Sequence, residues 1–146
     1  MSWLTPRWPY LLAIALVIPL GLSTRSAAVP WPALVAEHGG DVLYASMAYL
    51  GFRMLRPGDR PPIALGLAVG ACFAIELFQL YQAPWIQAVR RTLPGRLVLG
   101  SGFEWVDFAR YTAGAVGAWA LDVGALNHRQ RRRGRQGSGA ADAPRC

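Results

Sequence analysis

The sequence predicts an all-α protein, an integral membrane bundle of about four transmembrane helices with an interfacial or re-entrant loop between the third and fourth. Three observations predict it. Hydrophobic residues make up 53% of the 146-residue chain and charged residues only 16%, a balance shifted away from soluble domains. The apolar residues gather into four runs, separated by breaks rich in Pro, Gly and Arg. The arginines are spread unequally between the two sides that such a bundle defines. Mean hydropathy is only +0.25 because a polar C-terminal segment dilutes the runs. At this length one domain is the upper bound: a membrane domain over residues 1–128 and a tail over residues 129–146.

A transmembrane helix needs roughly 20 apolar residues, with a range of about 17–25. The first run, residues 8–22, and the second, residues 42–55 with Arg53 near its end, are short; Trp, Tyr and Arg at their ends extend them into the headgroup region. The first has a second reading. Arg7, an apolar stretch and Ser26-Ala27-Ala28 resemble a signal peptide with a small-residue cleavage site, although Pro19 and Arg25 fit that pattern poorly. Arg56-Pro57-Gly58-Asp59-Arg60-Pro61-Pro62 is a tight, polar, helix-breaking turn. The third and fourth runs, residues 63–81 and 106–123, are long enough to span. Between them, Trp85, Ile86, Val89 and Leu93 recur at helical spacing while Gln87, Arg90 and Arg91 point elsewhere, which predicts a short amphipathic helix in the interface. Pro94-Gly95 breaks it, Leu97-Val98-Leu99 is apolar again, and Gly100-Ser101-Gly102 turns into the last span. The tail is Arg-rich, then rich in Gly, Ser and Ala. It lacks apolar surface to bury, which predicts disorder; its juxtamembrane arginines serve either as a topological anchor or as a hold on anionic lipid.

With four spans, Arg7, Arg53, Arg56, Arg60 and the tail arginines Arg129, Arg131, Arg132, Arg133, Arg135 and Arg145 share one side. Arg25, Arg90, Arg91 and Arg96 lie on the other. The positive-inside rule places both termini in the cytoplasm. Trp3 and Trp8 mark the inner interface, and Trp31, Trp85 and Trp105 the outer one. Gly66 and Gly70 form a GxxxG, and Ala113, Gly114, Gly117 and Ala118 line the fourth span. Such small residues let helices approach closely, inside one chain or between copies in a homo-oligomer.

A net charge of +7 would point to nucleic acid in a soluble protein, but the long apolar runs exclude that partner. Cys72 lies within the third run and Cys146 is the last residue, so no disulfide framework follows. His38 and His128 stand apart in sequence, and neither a metal site nor a cofactor is expected. No GxSxG, HExxH, Walker loop or dinucleotide fingerprint is present, so no catalytic residue is assigned.

Glu76 is the informative residue. A carboxylate inside an apolar span is costly unless paired, neutralised or watered, and is a functional candidate by default. It lies five residues before Tyr81, about 7–8 Å below the outer end of its span at 1.5 Å per residue. Gln79 follows at i+3 on the same face. Asp41 opens the second span at that side and Asp107 the fourth, with Arg110 and Tyr111 three and four residues on, while Arg90 and Arg91 hang from the loop above. Asp41, Glu76, Gln79, Arg90, Arg91, Asp107 and Tyr111 are therefore the candidate binding residues. Two structural readings stand beside this one. Glu76 would pair with Arg90 or Arg110 and fix packing, and Asp107 would cap its helix.

These residues also carry a resemblance. Ala74-Ile75-Glu76-Leu77-Phe78-Gln79-Leu80-Tyr81-Gln82-Ala83-Pro84-Trp85, Arg90-x-Thr92, Gly95, Leu97-Val98-Leu99-Gly100-x-Gly102-Phe103-x-Trp105-x-Asp107 and Tyr111-x-x-Gly114 resemble the uncharacterised bacterial membrane family called domain of unknown function 2809. Leu20-Gly21-Leu22-Ser23-x-Arg25 and Gly40-Asp41-x-Leu43 resemble its first half. More distantly, Glu76-x-x-Gln79, an Arg, and Asp107 with Gly114 seven residues on resemble VanZ-like membrane proteins, one type of which is linked to glycopeptide resistance. That pattern has Asn where this chain has Tyr111. The nearer family has an acid at Gln87 and Ser at Phe78. The resemblance implies the fold and the place of the site, and no reaction. The expected function is non-enzymatic binding of an envelope lipid or cell-wall precursor at an outward-facing pocket, with Arg90 and Arg91 taking phosphate while Glu76 and Asp107 hold those arginines. The alternatives are a membrane-embedded enzyme using Glu76 as acid or base, and a small oligomeric transporter or proton path.

Overall fold

Prolines mark where the helices begin, because a proline in the first turn has no amide that needs an intrahelical partner. The computed structural model describes residues 7–26, 28–100 and 102–141, and side chains as far as residue 132. Among these it contains six helices and no strand: α1 (Trp8–Thr24), α2 (Ala33–Leu55), α3 (Pro61–Phe78), α4 (Pro84–Arg91), α5 (Leu93–Leu99) and α6 (Trp105–Ala141). Proline stands in the first turn of α1, α3, α4 and α5 and at the N-cap of α2.

The boundaries differ from expectation in four places. α2 begins at Ala33 rather than near residue 42, so Glu37, His38 and Asp41 are helical. α3 stops at Phe78, with Gln79 as its C-cap. The segment between α3 and α6 forms two helices. Thr92 is extended and its hydroxyl accepts the Gly95 N–H at 3.1 Å, so Pro94-Gly95 opens α5 instead of merely ending α4. α6 continues past residue 123 through the Arg-rich stretch to Ala141. Trp3 and Cys146 lie outside the described residues.

Side-chain contacts define an alternating up-down order for the long helices. Arg25 at the end of α1 meets Asp41 at the start of α2, and the start of α6 meets the end of α3. At the other end, Tyr10 of α1, Arg53 of α2 and Asp122 of α6 meet. α2 is the central helix, packed on α1, α3 and α6, and α6 also packs on α3.

Steps of four residues set the inward faces. On α2 they are Asp41, Ala45, Tyr49 and Arg53; on α3 they are Ala64, Ala68, Cys72 and Glu76. On α6, Asp107, Tyr111 and Ala115 follow the same spacing. The core cluster is Ala45, Tyr49, Ala64, Ala68, Cys72, Tyr111 and Ala115. Alanine and cysteine make up most of it, so the helices sit close around Tyr49 and Tyr111. At Gly114 a Cβ would run into the Val42 carbonyl of α2, and only glycine permits that approach. Gly66 and Gly70 do not serve the same purpose, since nothing lies within 4 Å of a Cβ added at either, and both face outward.

The large apolar side chains are on the outside. Leu16, Leu34 and Leu121 are 70%, 72% and 78% exposed, and Ile63, Leu67 and Leu77 line the outer face of α3. One described helix, Pro61–Phe78, is long and apolar enough to cross a membrane; Trp8–Thr24 is apolar but shorter.

Candidate functional site

Glu76 ends the inward stripe of α3 and is completely buried. Its Oε1 accepts the backbone N–H of Glu104 at 2.7 Å. Its Oε2 accepts from the Gln79 amide at 3.1 Å and from the Tyr111 hydroxyl at 3.4 Å. Among the described residues no guanidinium touches it, so the expected pairing with Arg90 or Arg110 is corrected: neutral donors solvate this carboxylate.

The turn that delivers the Glu104 amide depends on Gly100. Its φ is 69°, and a Cβ there would run into the Gln79 side chain. Gln79 is buried, donates to Glu76, and keeps its Oε1 without a partner among the described residues.

Asp107 is the buried carboxylate of the first turn of α6. It accepts from Arg110, one turn on, at 2.5 Å. The side chain thus goes to Arg110, not to the helix's free amides as the capping reading expects, although its charge still suits a helix N-terminus. Arg110 also reaches Asp41 at 3.4 Å and, at its exposed edge, Glu104 at 3.3 Å and Glu37 at 3.9 Å. Asp41 takes Arg25 on its other oxygen at 2.7 Å. Asp41, Glu76, Gln79, Asp107 and Tyr111 are therefore brought together, with Arg110 and Arg25 as the cations.

Arg90 and Arg91 do not join them. Arg90 is buried against the end of α3, donating to the Phe78 and Tyr81 carbonyls at 2.9 and 3.1 Å and lying 5.9 Å from the Phe78 ring centre. Those carbonyls belong to the electronegative C-terminal end of α3 and the turn that follows it, and draw a guanidinium. Neither Glu76 nor Asp107 holds Arg90, so that part of the expected arrangement is corrected. Ile86, one turn before Arg90, is the other buried contact of α4, whereas Trp85, Val89 and Leu93 face outward. Arg91 is exposed.

A cavity of about 50 Å³ opens between Asp41, Asp107, Tyr111, Gln79, Arg25 and Gly100. It shares Arg25, Tyr44, Leu97 and Val98 with a neighbouring apolar groove of about 230 Å³. The cavity's lining holds two carboxylates, Asp41 and Asp107, and one guanidinium, Arg25; Arg110 bridges Asp41 and Asp107 from outside that lining. Among the described residues no three His, Cys, Asp or Glu side chains are grouped as metal ligands.

A second polar cluster, absent from the sequence-based expectation, closes the opposite end. Asp122 accepts from Tyr10 at 3.0 Å, from Tyr49 at 2.8 Å and from the Arg53 Nε at 2.8 Å. Arg53 also donates to the Asp59 carbonyl at 2.7 Å and to the Tyr10 hydroxyl at 3.1 Å. The signal that could find it is an acid and a base in two apolar runs, each near the same predicted membrane face.

The family described as a protein of unknown function (DUF2809) matches residues 31–115, more than half of the chain. The chain belongs to the DUF2809 family. No solved structure matches it significantly. The DUF2809 segment runs from just before α2 into the first third of α6, and so contains Asp41, Glu76, Gln79, Arg90, Asp107, Tyr111 and Arg110. Arg25 and the Asp122 cluster fall partly or wholly outside it. The VanZ-like resemblance rests on the sequence motif.

Proposed function

We propose that this DUF2809 protein is an inner-membrane protein whose helices α1, α2, α3 and the first part of α6 cross the bilayer, with cytoplasmic termini and the Glu76 end outward. We further propose that it binds an amphiphilic envelope lipid there, without catalysis. The outward-facing leucines and isoleucines support burial in lipid, because water-exposed apolar surface on that scale is rare in soluble monomers. The Arg distribution supports the orientation.

One observation carries the ligand reading: a small acidic cavity is continuous with an apolar groove. The cavity's lining carries two carboxylates, Asp41 and Asp107, against one guanidinium, Arg25, and the Gln79 amide oxygen has no partner among the described residues. The cavity therefore favours a head that donates hydrogen bonds and carries positive charge, such as a primary ammonium, over a phosphate, which would meet Asp41 and Asp107. A phosphate in the same lipid would stay outside the acidic cavity. The enzyme reading is weaker, because both oxygens of Glu76 are occupied and the residue is sealed from the cavity. The proton-path reading is weaker too, because Ala45, Ala68, Cys72 and Ala115 fill the interior between the two polar ends.

The test is purification in mild detergent followed by lipid mass spectrometry. Amine-headed lipid should be enriched over anionic lipid in the Glu76-end site, and Asp107→Asn should abolish that enrichment. Unchanged enrichment in Asp107→Asn would sink the reading.

A further inference from the structure

α1 and α6 both pack on α2, yet no backbone contact joins them to each other. Between them runs a groove of about 480 Å³, within the ~300–1,000 Å³ range of small-molecule sites. Its lining is apolar along Val17, Leu43, Ala113, Gly117 and Leu121, and it follows α6 for about 20 Å from Ala113 to Leu126 at 1.5 Å per residue. Ser46 is a polar group on its floor, and its hydroxyl lies within hydrogen-bonding reach of the Val42 and Gly114 carbonyls, at 2.9 and 3.0 Å. The floor therefore offers hydrocarbon no unmet donor.

One end of the groove is polar, lined by Tyr10, Asp122 and Arg129. Asp122 is already satisfied by Tyr10, Tyr49 and Arg53, and Arg53 neutralises its charge. Arg129 is exposed and has no carboxylate partner among the described residues. The mouth thus presents one uncompensated positive charge at the head of an apolar channel. A second copy of this chain would bring its own Arg129, Arg131 and Arg132 against the same mouth, which like-charge repulsion opposes.

We infer that this groove holds one acyl chain of an anionic phospholipid whose phosphate rests on Arg129. The inference rests on the membrane reading above, but on a different surface and a ligand of opposite charge. The groove's charged mouth lies at the opposite end of the bundle from the Glu76-end cavity, and only Val17 and Leu43 are shared with the apolar groove beside that cavity.

The experiment uses the full chain, purified in mild detergent from bilayers containing equal phosphatidylglycerol and phosphatidylethanolamine, with retained lipid measured per protein by mass spectrometry. Gly117 lines the groove and nothing lies within 4 Å of a Cβ added there, so Gly117→Leu puts its side chain into the groove. This variant should lose the retained phosphatidylglycerol while keeping phosphatidylethanolamine. Arg129→Gln, a change on an exposed residue that leaves packing intact, should lower phosphatidylglycerol about fivefold, the effect of one arginine near a charged surface. Arg131→Gln, which does not line the groove, should leave it unchanged. Phosphatidylglycerol held equally by Gly117→Leu, or lost equally in Arg131→Gln, overturns the inference while leaving the Glu76-end reading standing. A change of oligomeric state in Gly117→Leu without lipid loss assigns the groove to a second copy and overturns it as well. A wild-type chain that is soluble without detergent and carries no lipid overturns both readings.

Discussion

At Gly100 the backbone takes φ 69° and ψ 178°, a region open in practice only to glycine. The turn built on it brings the 102–104 segment back over α3, so that the Glu104 amide reaches Glu76. Any Cβ would also press on Gln79. Gly100→Ala should therefore cost about 1–3 kcal/mol of stability and abolish the amine-lipid enrichment, because the Gln79–Glu76 contact goes with it. Gly102→Ala is the control, since its Cβ meets nothing within 4 Å. Equal melting temperatures for the two variants in detergent would refute the role given to Gly100. Glu76 itself is legible in the sequence, because the cost of an acid in an apolar run demands that something solvate it. The partners of Arg90 are not legible, because what attracts it is not a side chain: the carbonyls at the end of α3 become available only where the helix stops, and α3 stops earlier than its apolar run.

The helices show how a nearly uniform apolar run still chooses an inward face. In α3, hydrophobicity alone separates no side, and size does: Ala64, Ala68 and Cys72 turn inward while Ile63, Leu67 and Leu77 turn out. The same rule fails for Gly66 and Gly70, which share small size but lie on the opposite face, since two stripes of small residues run along one helix. Asp122 is hard to single out in the sequence because it lies at the end of the fourth run, where an acid reads as the edge of the tail. Its position fixes three helices at once. Arg53 and Asp122 are 3% and 9% exposed at the side chain, so removing one partner strands a buried charge. Asp122→Ala should destabilise the protein by about 3–5 kcal/mol. The double variant Arg53→Met with Asp122→Leu should recover part of that loss, because apolar replacements remove the stranded charge but leave the Tyr10 and Tyr49 hydroxyls unpartnered. Thermal unfolding in detergent checks both, and a double variant no more stable than Asp122→Ala would show that the ion pair is not what the single change exposes.

For the whole molecule, the two polar clusters lie at opposite ends of an interior filled by alanine, cysteine and tyrosine, and the large aliphatic residues coat the outside. This inverts the arrangement of a soluble bundle, where small and polar residues face water. In a bilayer the inversion is favourable, because lipid supplies the apolar contacts and close helix approach supplies the packing. Helix length follows the same logic. α3 has 18 residues and rises about 27 Å at 1.5 Å per residue, close to the ~30 Å hydrocarbon thickness. α6 is 37 residues long, so it emerges from any bilayer that α3 spans, carrying Arg129, Arg131 and Arg132 out on the Asp122 side. In the orientation proposed above that side is cytoplasmic, and Arg90, Arg91 and Arg96 lie on the other. Single cysteines in a Cys72→Ala, Cys146→Ser background decide it. Arg91→Cys should react with a membrane-impermeant maleimide in intact cells whose outer barrier is opened, and His128→Cys only after the inner membrane is permeabilised. Both positions are exposed, so lack of reaction reports the barrier and not burial. Labelling of the two from the same side would break the odd number of crossings between α4 and the end of α6, and with it the proposed separation of an amine-selective end from the arginine-rich one.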